Sequence, residues 1–320
     1  MQHYLDPKAD LTFKKVFGEH PDLVKSFLNA LLPLEDRVIE EIEYLPTELL
    51  SEDPLKKNSI VDVCCRDNHG RQFIVEMQMY WTKDFFQRML FNLSKTYSRQ
   101  LSPGSSYSIL KPVYGLCLIN DKATDEESYY NVILPRNEAG TIAMKDIQIV
   151  SVELPKFTPK TFAEKKMHVL WLRFLTEISD RTTEVSSDLT QNPEINKAVE
   201  ILRKSAFTEA ELIGYDKFWD AVSVERTLID NALEKGMAMG MEKGMEKGLE
   251  KGMEQGLRQG IQQGIQQGVE QGIQQGVEQG MARGEVSAKK EMARKMKMMN
   301  VPMETIVKVS GISKEEIEML

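Results

Sequence analysis

The sequence predicts an α/β domain built around a mixed sheet, followed by a helical region and a long helical tail. Two patterns carry this. Over the first 155 residues the apolar spacing switches between helical and alternating, in the order helix, three strands, helix, strand and further strands. From Gly236 to Gly284 glycine then recurs at every fourth position, a period that no globular core requires.

Each element has its own local reason. Asp10 is placed as the N-cap of LTFKKVFG. Pro21 opens a helix whose Leu23, Val24, Phe27, Leu28, Leu31 and Leu32 recur at helical spacing until Pro33. VIEEIEYL alternates like a strand. SIVDVCC and RQFIVEMQM are rich in β-branched and apolar residues, and Asp67-Asn68-His69-Gly70 between them signals a turn. Phe86, Met89, Leu90, Leu93, Tyr97 and Leu101 restore the helical period up to Ser102-Pro103-Gly104, and PVYGLCLIN, YYNVILP and DIQIVSVELP supply the remaining strands. Residues 156–235 read as a helical region, with FAEKKMHVLWLRFLTEI amphipathic and Pro193 in the first turn of PEINKAVEILRKSAF. Trp171 and Trp219 are its expected core anchors.

The repeat occupies residues 236–284. All but the last of its thirteen glycines are followed by Met, Leu, Ile or Val, and Glu, Lys and Gln fill most other positions. Four residues turn an α-helix through about 400°, so the stripe drifts by about 40° per repeat and would stay on one seam only in a right-handed supercoil. Each glycine costs about 1 kcal/mol against alanine, so roughly 13 kcal/mol must be offset by packing on a partner. Two readings stand level: a coiled, homo-oligomeric tail, and a partly helical low-complexity linker. Residues 285–320 read as a small helical module: a basic helix, a turn at Asn300-Val301-Pro302, and a last helix with Ser313 and Glu316 as a capping box. Its spacing suggests a helix-turn-helix, but KEEIEML is acidic where a DNA-reading helix should be basic, which favours packing or self-association.

Bulk composition excludes some classes. Of 320 residues, 41% are hydrophobic and 28% charged, and the longest apolar runs are strand-sized, so no membrane span is expected. Cys64, Cys65 and Cys117 cannot all pair, which fits buried thiols in the cytoplasm. A net charge of −8 argues against non-specific coating of nucleic acid. Between Tyr80 and Lys111, however, five basic residues face Asp84 alone, so a local basic stripe remains available to phosphate.

The chemistry centres on two strands. Asp62 shares a strand face with Ile60 and Cys64, and Glu76 with Ile74 and Gln78. A three-residue loop, Asn68-His69-Gly70, with Gly70 free to take positive φ, centres the pairing on His69 and sets Asp62 opposite Glu76. Facing carboxylates among apolar neighbours repel, and a hard divalent cation, Mg²⁺ or Mn²⁺, would resolve the conflict. The alternative is two acids on a solvent-facing strand side, which need no ion. Tyr80 and Tyr97 are expected to pack, and the four histidines show no zinc-ligand spacing.

With the opening DLTFKKVFG (Asp10, Phe13, Lys14, Phe17), Asp62, VEMQ and the helix carrying Phe85, Arg88 and Tyr97, the chain resembles the PD-(D/E)XK nuclease superfamily. It is most similar to the Rpn family of recombination-promoting nucleases and putative transposases. The resemblance implies a restriction-endonuclease-like core and a Mg²⁺- or Mn²⁺-dependent DNA endonuclease, serving recombination or transposition. It implies Asp62 and Glu76 as metal ligands, with the Met77 carbonyl completing the site. Gln78 stands where the general pattern has lysine; an amide orients by hydrogen bonds but brings no charge. Either Gln78 positions water or a nearby cation such as Lys14 substitutes. Asp10 either approaches the metal or caps its helix, and Arg88 and Lys95 are the expected DNA contacts. The alternative function is a catalytically weak or inactive DNA-binding or assembly protein that oligomerises through its repeat.

Overall fold

The computed structural model describes residues 3–34, 38–49, 58–159 and 166–320. It divides into two compact units, Met1–Asp230 and Asn231–Leu320. The first begins with α1 (Asp10–Phe13), which continues as a π-helical turn over Lys14–Gly18, and α2 (Pro21–Leu31). Strands β1 (Ile42–Tyr44), β2 (Glu48–Leu49), β3 (Ser59–Ile60), β4 (Val63–Asp67) and β5 (Gln72–Gln78) lead to α3 (Phe85–Ser98). Strands β6 (Val113–Ile119), β7 (Tyr130–Ile133) and β8 (Ile147–Glu153) follow. Helices α4 (Met167–Glu177), α5 (Ser187–Thr190), α6 (Pro193–Ile201) and the first part of α7 (Glu209–Met298) come last. The start of the helix expected over 162–178 lies outside the described residues.

Six strands form one mixed sheet in the order β1-β4-β5-β6-β8-β7. β5, β6 and β8 run parallel, and the other neighbours are antiparallel. β2 and β3 pair separately. The three central parallel strands are covered on both faces, which explains why VYGLCLI is apolar throughout rather than alternating. On one face Phe73, Val75, Leu116 and Val150 join the cluster of Phe17, Phe27, Trp171 and Phe174. On the other, Cys64, Ile74, Cys117 and Ile119 pack under Phe85, Met89 and Leu93 of α3. Gly115 is what lets α3 approach β6 closely: a Cβ there would lie 2.9 Å from Met89 Sδ and 3.0 Å from Leu93 Cδ1.

The helices after residue 155 contribute to that same core. Trp171 is fully buried, with its ring 5.4 Å from Phe17 and 5.5 Å from Phe27, and its Nε1 donates to Ser26 Oγ. Trp219 joins a smaller cluster with Leu5, Ala9, Phe207 and Tyr215. All three cysteines are free and buried.

Two local expectations need correction. Asp10 is not the N-cap; Ala9 holds that position with extended φ and ψ, and Asp10 is the first helical residue, its carboxylate 2.6 Å from Lys14 Nζ. SIVDVCC is not one strand. It breaks into β3 and β4 with a bend at Asp62, because the Asp62 carboxylate rather than its backbone answers the neighbouring strand.

In the second unit α7 runs through the whole repeat. A Cβ placed on any repeat glycine would meet nothing within 4 Å, and the apolar residues that follow, from Met237 to Met281, are exposed. Helices α8 (Met303–Ser310) and α9 (Lys314–Glu318) end the chain. Gly311, at φ 71°, supplies the left-handed cap between them, and Ser313 Oγ accepts from Glu316 N at 3.3 Å as the capping box requires. Ile306, Ile312 and Ile317 gather on Ala293.

Candidate active site

The hairpin joining β4 to β5 sets the geometry. Its ladder pairs Val63 with Val75, Cys64 with Ile74, Cys65 with Phe73 and Arg66 with Gln72, a register centred on His69. Gly70 takes φ 82° in the loop. A buried clamp holds the turn, and the sequence reading missed it. Arg71 Nε lies 2.6 Å from Asp67 Oδ2, with both side chains nearly inaccessible, and Asp67 Oδ1 accepts the amides of His69 and Arg71. The signal was present as an acid and a base facing each other across a three-residue loop.

Asp67 N donates to Arg71 O, so the odd-numbered residues of β5 turn their amides toward β4. The ladder stops at Val75, which leaves the amide of Met77 as the next donor on that edge. Asp62 Oδ2 takes it at 2.8 Å. One residue therefore bends the chain, satisfies a strand amide and brings a carboxylate beside Glu76. The Met77 carbonyl faces the same edge, while the Met77 side chain packs into the core on the other face.

Both carboxylates resist ionisation. Burial, countered partly by the Met77 amide and Lys14, pushes Asp62 up to about 6. Burial first, and then the charge of Asp62, push Glu76 higher, to about 8, against the opposing pull of Arg88 and Lys14. The Cys117 thiol, paired with Glu76 across the parallel ladder, is fully buried and held protonated by the same desolvation and by Glu76 itself.

Four further side chains border the pair. Phe13, Val16 and Phe17 anchor the first helix in the core, and its other side presents Asp10 and Lys14. Lys14 Nζ lies 2.6 Å from Asp10 and 4.0 Å from Asp62 Oδ1, so Asp10 meets the site through Lys14. The π-helical turn begins at Lys14, a distortion often found at functional sites. From the opposite layer Arg88 reaches Gln78, its Nη2 at 2.5 Å from Oε1, and Gln78 Nε2 donates to the carbonyl of Tyr80. The structure thus gathers Asp10, Lys14, Asp62, Glu76, Met77, Gln78 and Arg88. Lys95 stands apart, two turns along α3, with its ammonium 2.8 Å from Leu49 O and over the Phe91 ring.

The arrangement can hold a hard divalent cation: the Asp62 charge reaches Glu76, the Met77 carbonyl faces the edge where Asp62 lies, and among the described residues no hydrogen bond or ion pair reaches the Glu76 carboxylate. Such an ion needs only one or two carboxylates besides water and substrate oxygens. The described residues contain no cluster of three or more His, Cys, Asp or Glu side chains placed as a closed metal cage.

Residues 7–232 match the family model described as PD-(D/E)XK nuclease family transposase. The chain belongs to this family. The matched span takes in α4 to α6 along with the sheet. No curated protein and no solved structure matches the chain. No helix among the described residues of this PD-(D/E)XK family member is long and apolar enough to cross a membrane.

Proposed function

We propose that the chain is a cytoplasmic, metal-dependent DNA endonuclease that hydrolyses phosphodiester bonds directly, with no covalent intermediate, and so promotes DNA recombination or transposition. The observation that carries this reading is the pair Asp62 and Glu76: two half-buried carboxylates, one placed by the strand break at Asp62, with the Asp62 charge reaching Glu76. Asp62, Glu76 and the Met77 carbonyl would hold Mg²⁺ or Mn²⁺. When bound, that ion supplies positive charge at the scissile phosphate and lowers the pKa of a coordinated water.

The chain's own groups do the rest. Asp10 orients Lys14, whose ammonium stands within reach of both Asp62 and an incoming phosphate. Arg88 lies on the exposed side of α3, and Lys95 extends the same helix as a DNA contact. Gln78 ties strand to helix between them. With plasmid DNA and Mg²⁺, wild type is expected to nick and Asp62→Ala to do so more slowly by about 10³-fold or more. Equal nicking by both would remove the assignment.

The repeat supports a second reading, a DNA-binding or assembly protein of weak activity that forms homo-oligomers through its tail. Its apolar residues are exposed and its glycines leave open space for close approach of another helix. Deleting residues 236–284 is expected to reduce the mass measured by light scattering to that of one chain; an unchanged oligomer would place self-association elsewhere.

A further inference from the structure

Hydrolysis of a phosphodiester adds negative charge to a site that already holds two carboxylates, so the site needs a cation that is not already neutralised. Lys14 is the weaker of the two cations at the site, because its ion pair with Asp10 at 2.6 Å offsets much of its charge. Arg88 differs. Among the described residues its guanidinium hydrogen-bonds only to a neutral group, the Gln78 amide, and forms no ion pair, although Glu76 and Asp62 lie near enough to feel its charge. Its other support is the face of Phe85, 5.2 Å from Cζ and itself buried. The amide cannot be turned the other way: Gln78 Nε2 is committed to the Tyr80 carbonyl, which leaves Oε1, the acceptor, facing the arginine. Glutamate at position 78 would hold Arg88 equally well and cancel its charge. Glutamine holds it and leaves the charge intact.

We propose that Arg88, held by Gln78 and Phe85, is the phosphate-binding cation of the site, with Gln78 as its positioning residue rather than a water-orienting one. This rests on the nuclease reading for its place in the reaction, though the phosphate contact itself does not. A guanidinium suits the task because it is always charged and presents paired donors to two phosphate oxygens.

The test uses the full-length chain, a short DNA duplex and two readouts. The first is binding by fluorescence anisotropy with Ca²⁺ across a salt series, and the second is single-turnover cleavage with Mg²⁺. Arg88→Gln is expected to flatten the slope of log affinity against log salt by about 0.9, the value for one lost phosphate contact, and to slow cleavage by about 10²- to 10³-fold. Gln78→Leu is expected to keep the slope, since the charge remains, while cleavage falls about tenfold because the guanidinium is no longer held. Lys14→Gln is expected to leave the slope nearer wild type than Arg88→Gln does. Arg88 is exposed, so its variant folds, and an unchanged melting temperature verifies this. An unchanged slope in Arg88→Gln, with cleavage still abolished in Asp62→Ala, overturns the assignment and leaves the nuclease reading standing. A flattened slope in Arg88→Gln, with no metal-dependent cleavage by wild type, supports the contact and overturns the nuclease reading instead.

Discussion

Glu76→Gln is expected to raise the melting temperature of the metal-free protein at about pH 8.5 by roughly 4–8 °C, while abolishing any further rise on adding Mn²⁺ or Mg²⁺. The cause is the carboxylate pair. Asp62 and Glu76 are raised above ordinary carboxylate values, to about 6 and about 8, so the folded chain binds more protons than the unfolded one between those values and the acid range. Stability is therefore full below the unfolded pKa values and is lost as pH rises through about 6 and then about 8. Glutamine cannot ionise, so its advantage should be near zero at about pH 4.5 and grow toward alkaline pH, to on the order of 2 kcal/mol. The wild type should gain most from a divalent ion in the alkaline range, where both ligands are charged and most in need of it. Thermal melts at several pH values, with and without Mn²⁺, read this directly. A Glu76→Gln advantage that shrank with rising pH would show that the two acids do not repel.

Arg71→Ala should be the most damaging change outside the core, at about 3–5 kcal/mol by urea unfolding, because it leaves the Asp67 carboxylate buried without its partner. The same change should weaken Mn²⁺ binding in calorimetric titration, although Arg71 lies at the far end of the hairpin from Asp62. The connection is the register: a slip by one residue would turn Glu76 to the opposite face and remove the Met77 amide from Asp62. A variant that lost stability yet bound metal as wild type does would mean that register is set elsewhere, by the β5–β6 pairing.

Sequence and structure agree where the determinants are local. The fold class follows from periodicity, and the register centred on His69 follows from loop length and one glycine. The ends of α2 follow from Pro21 and Pro33. The bend at Asp62 was not legible, because its cause is a bond from a side chain to the amide of Met77 on another strand. The N-cap reading of Asp10 fails because Ala9 takes that position without a side-chain cap bond, while Asp10 pairs with Lys14. The shared core of α2, α4 and α6 leaves no trace in spacing, since it depends on which helices meet. Gln78 shows the same limit from the other side: its amide chemistry could be read from the sequence and Tyr80 is only two residues on, but Arg88 lies on a helix that tertiary packing brings alongside.

β5 has consequences beyond holding Glu76. Up to Val75 it is bordered by β4 on one edge and β6 on the other, with covered faces above and below, so local fraying cannot begin there; Glu76 to Gln78 keep the β6 ladder and the single bond from the Met77 amide to Asp62. The segment carrying Glu76 is therefore anchored by the deepest part of the sheet just before it, which leaves little of its backbone free to breathe. On the proposed reading, control of the site therefore falls to the periphery, to Lys14 and Arg88, the two helical side chains that reach in from opposite layers.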